Sequence, residues 1–171
     1  MRRQLVDMPQ TRSALALLDD AYATRLRRSG RTVEHPIAVA ELLRADRQPT
    51  SVVVTGLLHD VLEDTDVTVT ELRDRFGEQI TRWVEALTQD PSIEKYGRRK
   101  AALRKQVVTG GPEVAAVTLA DKLAKLRLAR AAPPSRKLTH YRATLDAVEN
   151  RYGPTRLSEQ LREELDRVAP A

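Results

Sequence analysis

An all-α fold is predicted for this chain of 171 residues. Apolar residues recur at three- and four-residue spacing through most of it, and no segment alternates apolar and polar side chains as a strand would. Proline and glycine interrupt the apolar stripes at helical intervals. With 41% hydrophobic and 31% charged residues, the chain is long enough for one cored domain and short for two, so a single helical bundle over 1–171, with its core at about 13–168, is expected.

The first helix is expected over Ser13–Arg28, where Leu15, Leu17, Leu18, Tyr22 and Leu26 make one face and Ser29-Gly30 stops it. Pro36, suited to a first turn, opens a second helix through Leu43. A third starts at Pro49-Thr50, carries His59-Asp60 and closes at Thr65-Asp66. Thr68 with Glu71 three residues on has the form of a capping box, which predicts a short helix to Phe76 and a stop at Gly77. Glu78–Thr88 follows with Ile80, Trp83, Val84 and Leu87 buried. After Gln89-Asp90-Pro91-Ser92 a polar, basic helix with a solvated or ligand-facing side runs to about Gln106, and Gly110-Gly111-Pro112 breaks it. A long helix, Glu113–Arg130, ends at Ala131-Ala132-Pro133-Pro134. Arg136–Asn150 and Thr155–Val168 complete the bundle around a turn at Tyr152-Gly153-Pro154.

The chain contains no cysteine, which excludes disulfides and thiolate metal sites and leaves histidine and carboxylate as metal ligands. That favours Mn, Fe, Mg or a carboxylate-rich Zn site. Met1-Arg2-Arg3 is followed by no apolar signal region and no segment reaches transmembrane length, so no membrane association and a cytoplasmic location are expected. The net charge of +5 favours anionic partners. Aromatic residues make up only 4%, too few for a stacking platform that would grip single-stranded nucleic acid. A small phosphorylated nucleotide is the expected partner, and a homo-oligomer is compatible with the sequence.

Four ionisable residues, His59, Asp60, Glu63 and Asp64, crowd two turns otherwise built from Val53, Val54, Leu57, Leu58, Val61 and Leu62. On one helix their spacings of three and four residues make them reachable from one side. Carboxylates at the edge of a core beside an imidazole point to a cation. His35, ahead of Pro36, and Asp121, among Val117, Leu119, Ala120 and Leu123, offer two further ligands. Taken singly each has a plainer reading: His35 as a loop or cap residue, Asp121 as the partner of Lys122 or of Lys125 one turn on, Glu63-Asp64 as the polar end of a helix. His140, beside Tyr141 on a polar helix, is expected on a solvated face, and Trp83 in the core.

The order His35, His59-Asp60, Asp121 resembles the HD-domain superfamily of metal-dependent phosphohydrolases. Fuller stretches, His35-Pro36-Ile37-Ala38-Val39-Ala40, Leu57 to Thr65, Phe76-Gly77 and Leu119-Ala120-Asp121-Lys122-Leu123, look like the hydrolase domain of RelA/SpoT alarmone enzymes and the stand-alone small alarmone hydrolases. The resemblance runs from about Leu15 to the final helices. It implies an HD-type bundle and a Mn-dependent hydrolase that removes the 3′ pyrophosphate from guanosine tetra- or pentaphosphate. By the same resemblance His35, His59, Asp60 and Asp121 hold the metal, and Glu63 and Asp64 match the pair that orients and deprotonates the attacking water. Basic residues, Arg27, Arg28, Arg98, Arg99, Lys100, Lys122 and Lys125, could neutralise the remaining phosphates.

Two departures bear on substrate. The family's basic residue and Ser-Gly are kept in Arg27-Arg28-Ser29-Gly30, but Arg31-Thr32-Val33-Glu34 before His35 lacks the family's Pro-Tyr pair and is one residue short, which bears on recognition of the base. Lys125 stands where the family usually carries Asn, and could bind an extra phosphate or fold onto Asp121. Another nucleotide or a phosphomonoester as substrate, and a non-catalytic nucleotide-binding module, are the alternatives. No synthetase-like or regulatory region is read in the chain, so synthesis of the substrate is expected to fall to another protein.

Overall fold

The computed structural model describes residues 5, 8–29, 33–129, 131 and 133–168, with the side chains of 24–29 outside that description. Its helices are α1 (Pro9–Ser29), α2 (Glu34–Ala45), α3 (Thr50–Leu58), the single turn α4 (Val61–Asp64), α5 (Val69–Leu87), α6 (Tyr96–Gly110), α7 (Pro112–Arg127), α8 (Ser135–Tyr152) and α9 (Arg156–Val168). No strand occurs among the described residues, in line with the all-α expectation. None of these helices is long and apolar enough to cross a membrane.

Two central helices organise the bundle. In α3, Val52 through Leu58 are all buried, and a helix that is apolar all round has to be enclosed. It packs on α1, α2, α5 and α7. Helix α7 is buried at nearly every position from Val114 to Leu126 and touches α2, α3, α5, α6, α8 and α9. Each enclosed valine or leucine contributes about 1.5–3 kcal/mol relative to an exposed one. The polar exceptions in these two helices are therefore held at fixed depth by their apolar neighbours.

The Gly56 position permits close approach of α3 and α2. A methyl group added there would overlap Leu43 Cδ1 and meet Val39 Cγ1 at 3.4 Å and Ala40 Cα at 3.7 Å. Leu43 and Val39 are themselves fully buried, so neither can swing aside freely. Gly56→Ala is expected to destabilise the protein by about 1–3 kcal/mol, read as a lower urea midpoint with an unchanged slope.

Several expected boundaries are revised. Helix α1 begins at Pro9, not Ser13, and α7 ends at Arg127, not Arg130. Gly30 and residues 31–32, where the first helix was expected to stop and the altered segment before His35 to begin, lie outside the described residues. Thr68 Oγ1 accepts from the Glu71 amide at 3.2 Å as the cap requires, while the Glu71 carboxylate pairs with Arg75 one turn on, at 3.1 Å. At Gly77, φ is +82° and ψ 168°, a left-handed kink that divides α5 where glycine was expected to stop the chain.

The largest revision concerns His59 to Asp64, expected on one continuous helix. Helix α3 stops at Leu58, and His59-Asp60 form a turn before α4, with Asp60 at φ −103° and ψ 0°. The His59 ring nitrogen Nδ1 donates to the Gly56 carbonyl at 2.8 Å, where a continued helix would place the Asp60 amide. The Asp60 carbonyl restarts the chain by accepting from the Glu63 and Asp64 amides at 3.1 and 2.9 Å. Across this break His59, Asp60, Glu63 and Asp64 still line one cavity.

Candidate metal centre

His35 stands in the first turn of α2, His59 and Asp60 in the turn after α3, and Asp121 in the middle of α7. The tight packing of α2, α3 and α7 draws the four together, with one donor atom from each within 4.8 Å of the others. His35 Nε2 lies 2.9 Å from Asp121 Oδ1 and 3.9 Å from Asp60 Oδ2. His59 Nε2 lies 3.1 Å from Asp60 Oδ2 and 3.4 Å from Asp121 Oδ1.

A carbonyl only accepts, so the contact with Gly56 puts a proton on His59 Nδ1 and turns Nε2 toward the carboxylates. That Nε2 is buried and has no hydrogen-bond partner in spite of its short approaches. A ring oriented through its other nitrogen, with the free one aimed at two carboxylates, is the arrangement of a ligating histidine. Burial would depress the His59 pKa, yet the Asp60 and Asp121 carboxylates outweigh it and push it up to about 10. Against the upward pull of burial, Lys125, His35 and His59 hold Asp121 well below the usual carboxylate range. His59 and Lys125 lower Asp60 in the same way. The centre thus keeps both carboxylates ionised and gathers positive charge. Two imidazole nitrogens and two carboxylate oxygens could hold a divalent cation, and the orphaned Nε2 fits that use.

A cavity of about 570 Å³ opens over the four donors, with Glu63 and Asp64 in its wall. Glu63 Oε1 accepts from the Gln89 amide at 2.7 Å and Oε2 from Gln89 Nε2 at 2.6 Å. Asp64 is buried and accepts from the Tyr22 hydroxyl at 3.3 Å. Gln89 is fixed in turn by Arg99 Nε and Lys100 Nζ, which donate to its Oε1 at 3.2 and 2.9 Å. The side chain of Gln89 therefore faces the Glu63 carboxylate with its amide group and two cations with its oxygen.

The expected phosphate-binding residues fall into different places. Lys100, Lys122 and Lys125 line the cavity. Arg98 is exposed on α6 and does not line it. Arg99 turns to the loop, where Nη1 donates to the Ile93 carbonyl at 2.8 Å. The Arg27 and Arg28 side chains lie outside the described residues. Lys122 is buried, 5.6 Å above the Tyr141 ring and 3.5 Å from Asp121 Oδ2; burial lowers its pKa to about 8. Lys125 Nζ reaches Asp121 Oδ1 at 2.6 Å. The ion pairs weighed as the plainer reading of Asp121 thus coexist with the clustered donors.

His140 is not on a solvated face: it is buried and lines the cavity. Tyr141, Leu145 and Val148, all buried, form the inward stripe of α8, and His140 adjoins it. That periodicity was the available signal. Arg104 Nη1 lies 3.2 Å from His140 Nδ1; a guanidinium only donates, so Nδ1 accepts and the neutral ring keeps its proton on Nε2. Burial, with Lys122, Lys100 and Arg104 nearby, lowers its pKa to about 3 from 6.5. The unfolded chain therefore takes up a proton that the folded ring refuses, so the contribution to stability is whole above pH 6.5 and declines as pH falls toward 3. His140→Gln is expected to flatten the acid side of the stability profile below pH 6.5, measured by urea denaturation across pH. Gln89, Tyr96, Lys137 and Tyr141 also line the cavity, and nothing in their spacing in the chain marked them.

Comparison with known proteins identifies relatives of the chain. Human MESH1, a guanosine-3′,5′-bis(diphosphate) 3′-pyrophosphohydrolase, is 40% identical over 97 residues, covering 56% of this chain and 54% of that protein. A probable GTP pyrophosphokinase of Mycobacterium leprae is 31% identical over 139 residues, 79% of this chain but 18% of that protein. The chain thus spans about half the length of the first and under a fifth of the second. A solved structure described as a metazoan ortholog of SpoT that hydrolyses ppGpp superposes with a TM-score of 0.74 over 91% of this chain and 94% of its own. At 24% identity that likeness speaks to the fold. The HD domain family model matches residues 14–148, a span that encloses all four clustered donors, and the chain belongs to the HD-domain family.

Proposed function

We propose that the chain is a Mn-dependent hydrolase that removes the 3′ pyrophosphate from guanosine tetra- or pentaphosphate, and so acts in the stringent response. The observation that carries this reading is the convergence of the donor cluster, the Glu63-Asp64 pair and three lysines on one cavity. The activity for which human MESH1 is named supports the substrate. His35, His59, Asp60 and Asp121 would hold the cation. When bound, it supplies Lewis-acid charge against the phosphate oxygens and makes the attacking water more acidic.

Glu63, half-buried at the cavity wall and oriented by two donors from Gln89, is positioned to take the proton of that water. Asp64, buried and bonded to Tyr22, orients the reacting groups. Lys100, Lys122 and Lys125 balance phosphate charge, and the neutral His140 offers an Nε2–H donor. A cytoplasmic setting and a homo-oligomeric state fit this reading.

The test is product analysis of metal-stripped protein incubated with guanosine 3′,5′-bis(diphosphate), with and without Mn²⁺. GDP and pyrophosphate appearing only with Mn²⁺ is the expected result; intact substrate beside metal-loaded protein would reject it. A second reading, an HD phosphohydrolase acting on another nucleotide, is favoured by Lys125 at the cavity. Preferential cleavage of a compound without a 3′ pyrophosphate, in a panel at equal concentrations, would select it.

A further inference from the structure

Lys122 and Lys125 both approach Asp121, in different ways. Lys122 Nζ is 3.5 Å from Oδ2, and its side chain is 4% exposed. Enclosed and seated over Tyr141, it is a counter-ion held in place. Lys125 Nζ is 2.6 Å from Oδ1, the oxygen that also meets His35 Nε2 at 2.9 Å and His59 Nε2 at 3.4 Å. It lies 3.9 Å from Asp60 Oδ2 as well. Its ammonium therefore faces the same two carboxylate oxygens that complete the donor cluster. With a side chain 40% exposed and a flexible stem, Lys125 can leave where Lys122 cannot.

We propose that Lys125 is a built-in competitor for the metal: its ammonium shares Asp121 Oδ1 and Asp60 Oδ2 with the incoming divalent cation and must swing away for that cation to load. This rests on the divalent-cation reading of the cluster, not on the identity of the substrate. A divalent cation and an ammonium drawn to the same carboxylate oxygens repel one another, and the mobile partner gives way. The freed ammonium stays in the cavity, among Lys100 and Lys122, where a phosphate group would hold it. An anionic ligand thereby draws off the competitor and tightens metal binding, and by linkage the metal tightens anion binding by the same factor.

The experiment is calorimetric titration of Mn²⁺ into the metal-stripped full chain, comparing wild type with Lys125→Met and Lys125→Asn. Both variants are expected to bind Mn²⁺ about tenfold more tightly, the scale of one lost charge-assisted contact. Their metal-free forms should melt below wild type, because Asp121 loses a counter-ion, and Mn²⁺ should close that gap. Using two variants guards against one that folds poorly. Equal or weaker Mn²⁺ affinity in both, or no Mn²⁺ binding by any of the three proteins, would overturn the inference. Wild-type protein that binds Mn²⁺ and shows the Lys125 effect, yet leaves guanosine 3′,5′-bis(diphosphate) intact, rejects the proposed substrate and keeps the competitor.

Discussion

Glu63→Gln is expected to lower kcat about 10²–10⁴-fold, the usual contribution of a positioned general base, while Mn²⁺ affinity stays close to that of wild type. Glu63 is not one of the four clustered donors, so exchanging its carboxylate for an amide leaves the cation's ligands in place. Both of its oxygens accept from Gln89, at 2.7 and 2.6 Å. A glutamine at this position can keep the bond from the Gln89 backbone amide, but its own NH₂ would face the NH₂ of Gln89. Gln89 cannot simply flip in response, because its oxygen is held by Arg99 and Lys100. The variant thus loses both the proton acceptor and its orientation, and the effect should fall on kcat more than on KM. Single-turnover hydrolysis with parallel Mn²⁺ titration separates chemistry from metal loading. Full activity in a metal-loaded variant would move the proton acceptor elsewhere.

Much of the bundle is legible in the sequence because its elements are punctuated by residues with one physical meaning. Gly77 and Gly153, both at φ +82°, stop or bend helices where their lack of a side chain allows it. The break at His59-Asp60 is not legible, since no glycine or proline marks it and the apolar stripe runs through; it depends on an imidazole turning back onto the Gly56 carbonyl. The same contrast holds for the site. Asp121 is conspicuous as a carboxylate among the buried apolar residues Val117, Leu119, Ala120 and Leu123 of α7. Gln89 is one polar residue in a polar loop, and only the packing of α4 on α5 and α5 on α6 brings it between Glu63 and Lys100. Arg98, Arg99 and Lys100 look equivalent as a basic run, but successive helical residues point about 100° apart. One faces solvent, one the loop carbonyls and one the cavity.

Asp121→Ala is expected to remove Mn²⁺ binding and also to destabilise the metal-free protein by about 3 kcal/mol, the lower end of the cost of breaking a buried ion pair. Two consequences act together. The cluster loses the oxygen that lies within 3.4 Å of both histidine nitrogens, and Lys122, buried and 3.5 Å from the other oxygen, loses its anion. Lys125, 40% exposed, can turn to water, which is why the lower end applies. Lys122 has no such route and escapes by losing its proton. Burial already holds its pKa at about 8 against 10.5 in the unfolded chain, and removing Asp121 pushes it lower. The unfolded chain then binds more protons than the folded one, so stability rises with pH until the unfolded lysine also titrates. The deficit of the variant relative to wild type should therefore be present at neutrality and shrink as pH rises toward about 8, where the wild-type lysine also loses its proton. Urea denaturation across pH, with and without Mn²⁺, reads both effects: Mn²⁺ stabilises wild type through binding linkage and leaves the variant unchanged. A variant as stable as wild type at neutral pH would mean that Lys122 is neutral or paired elsewhere, and one that still gains stability from Mn²⁺ would remove Asp121 from the metal's ligands.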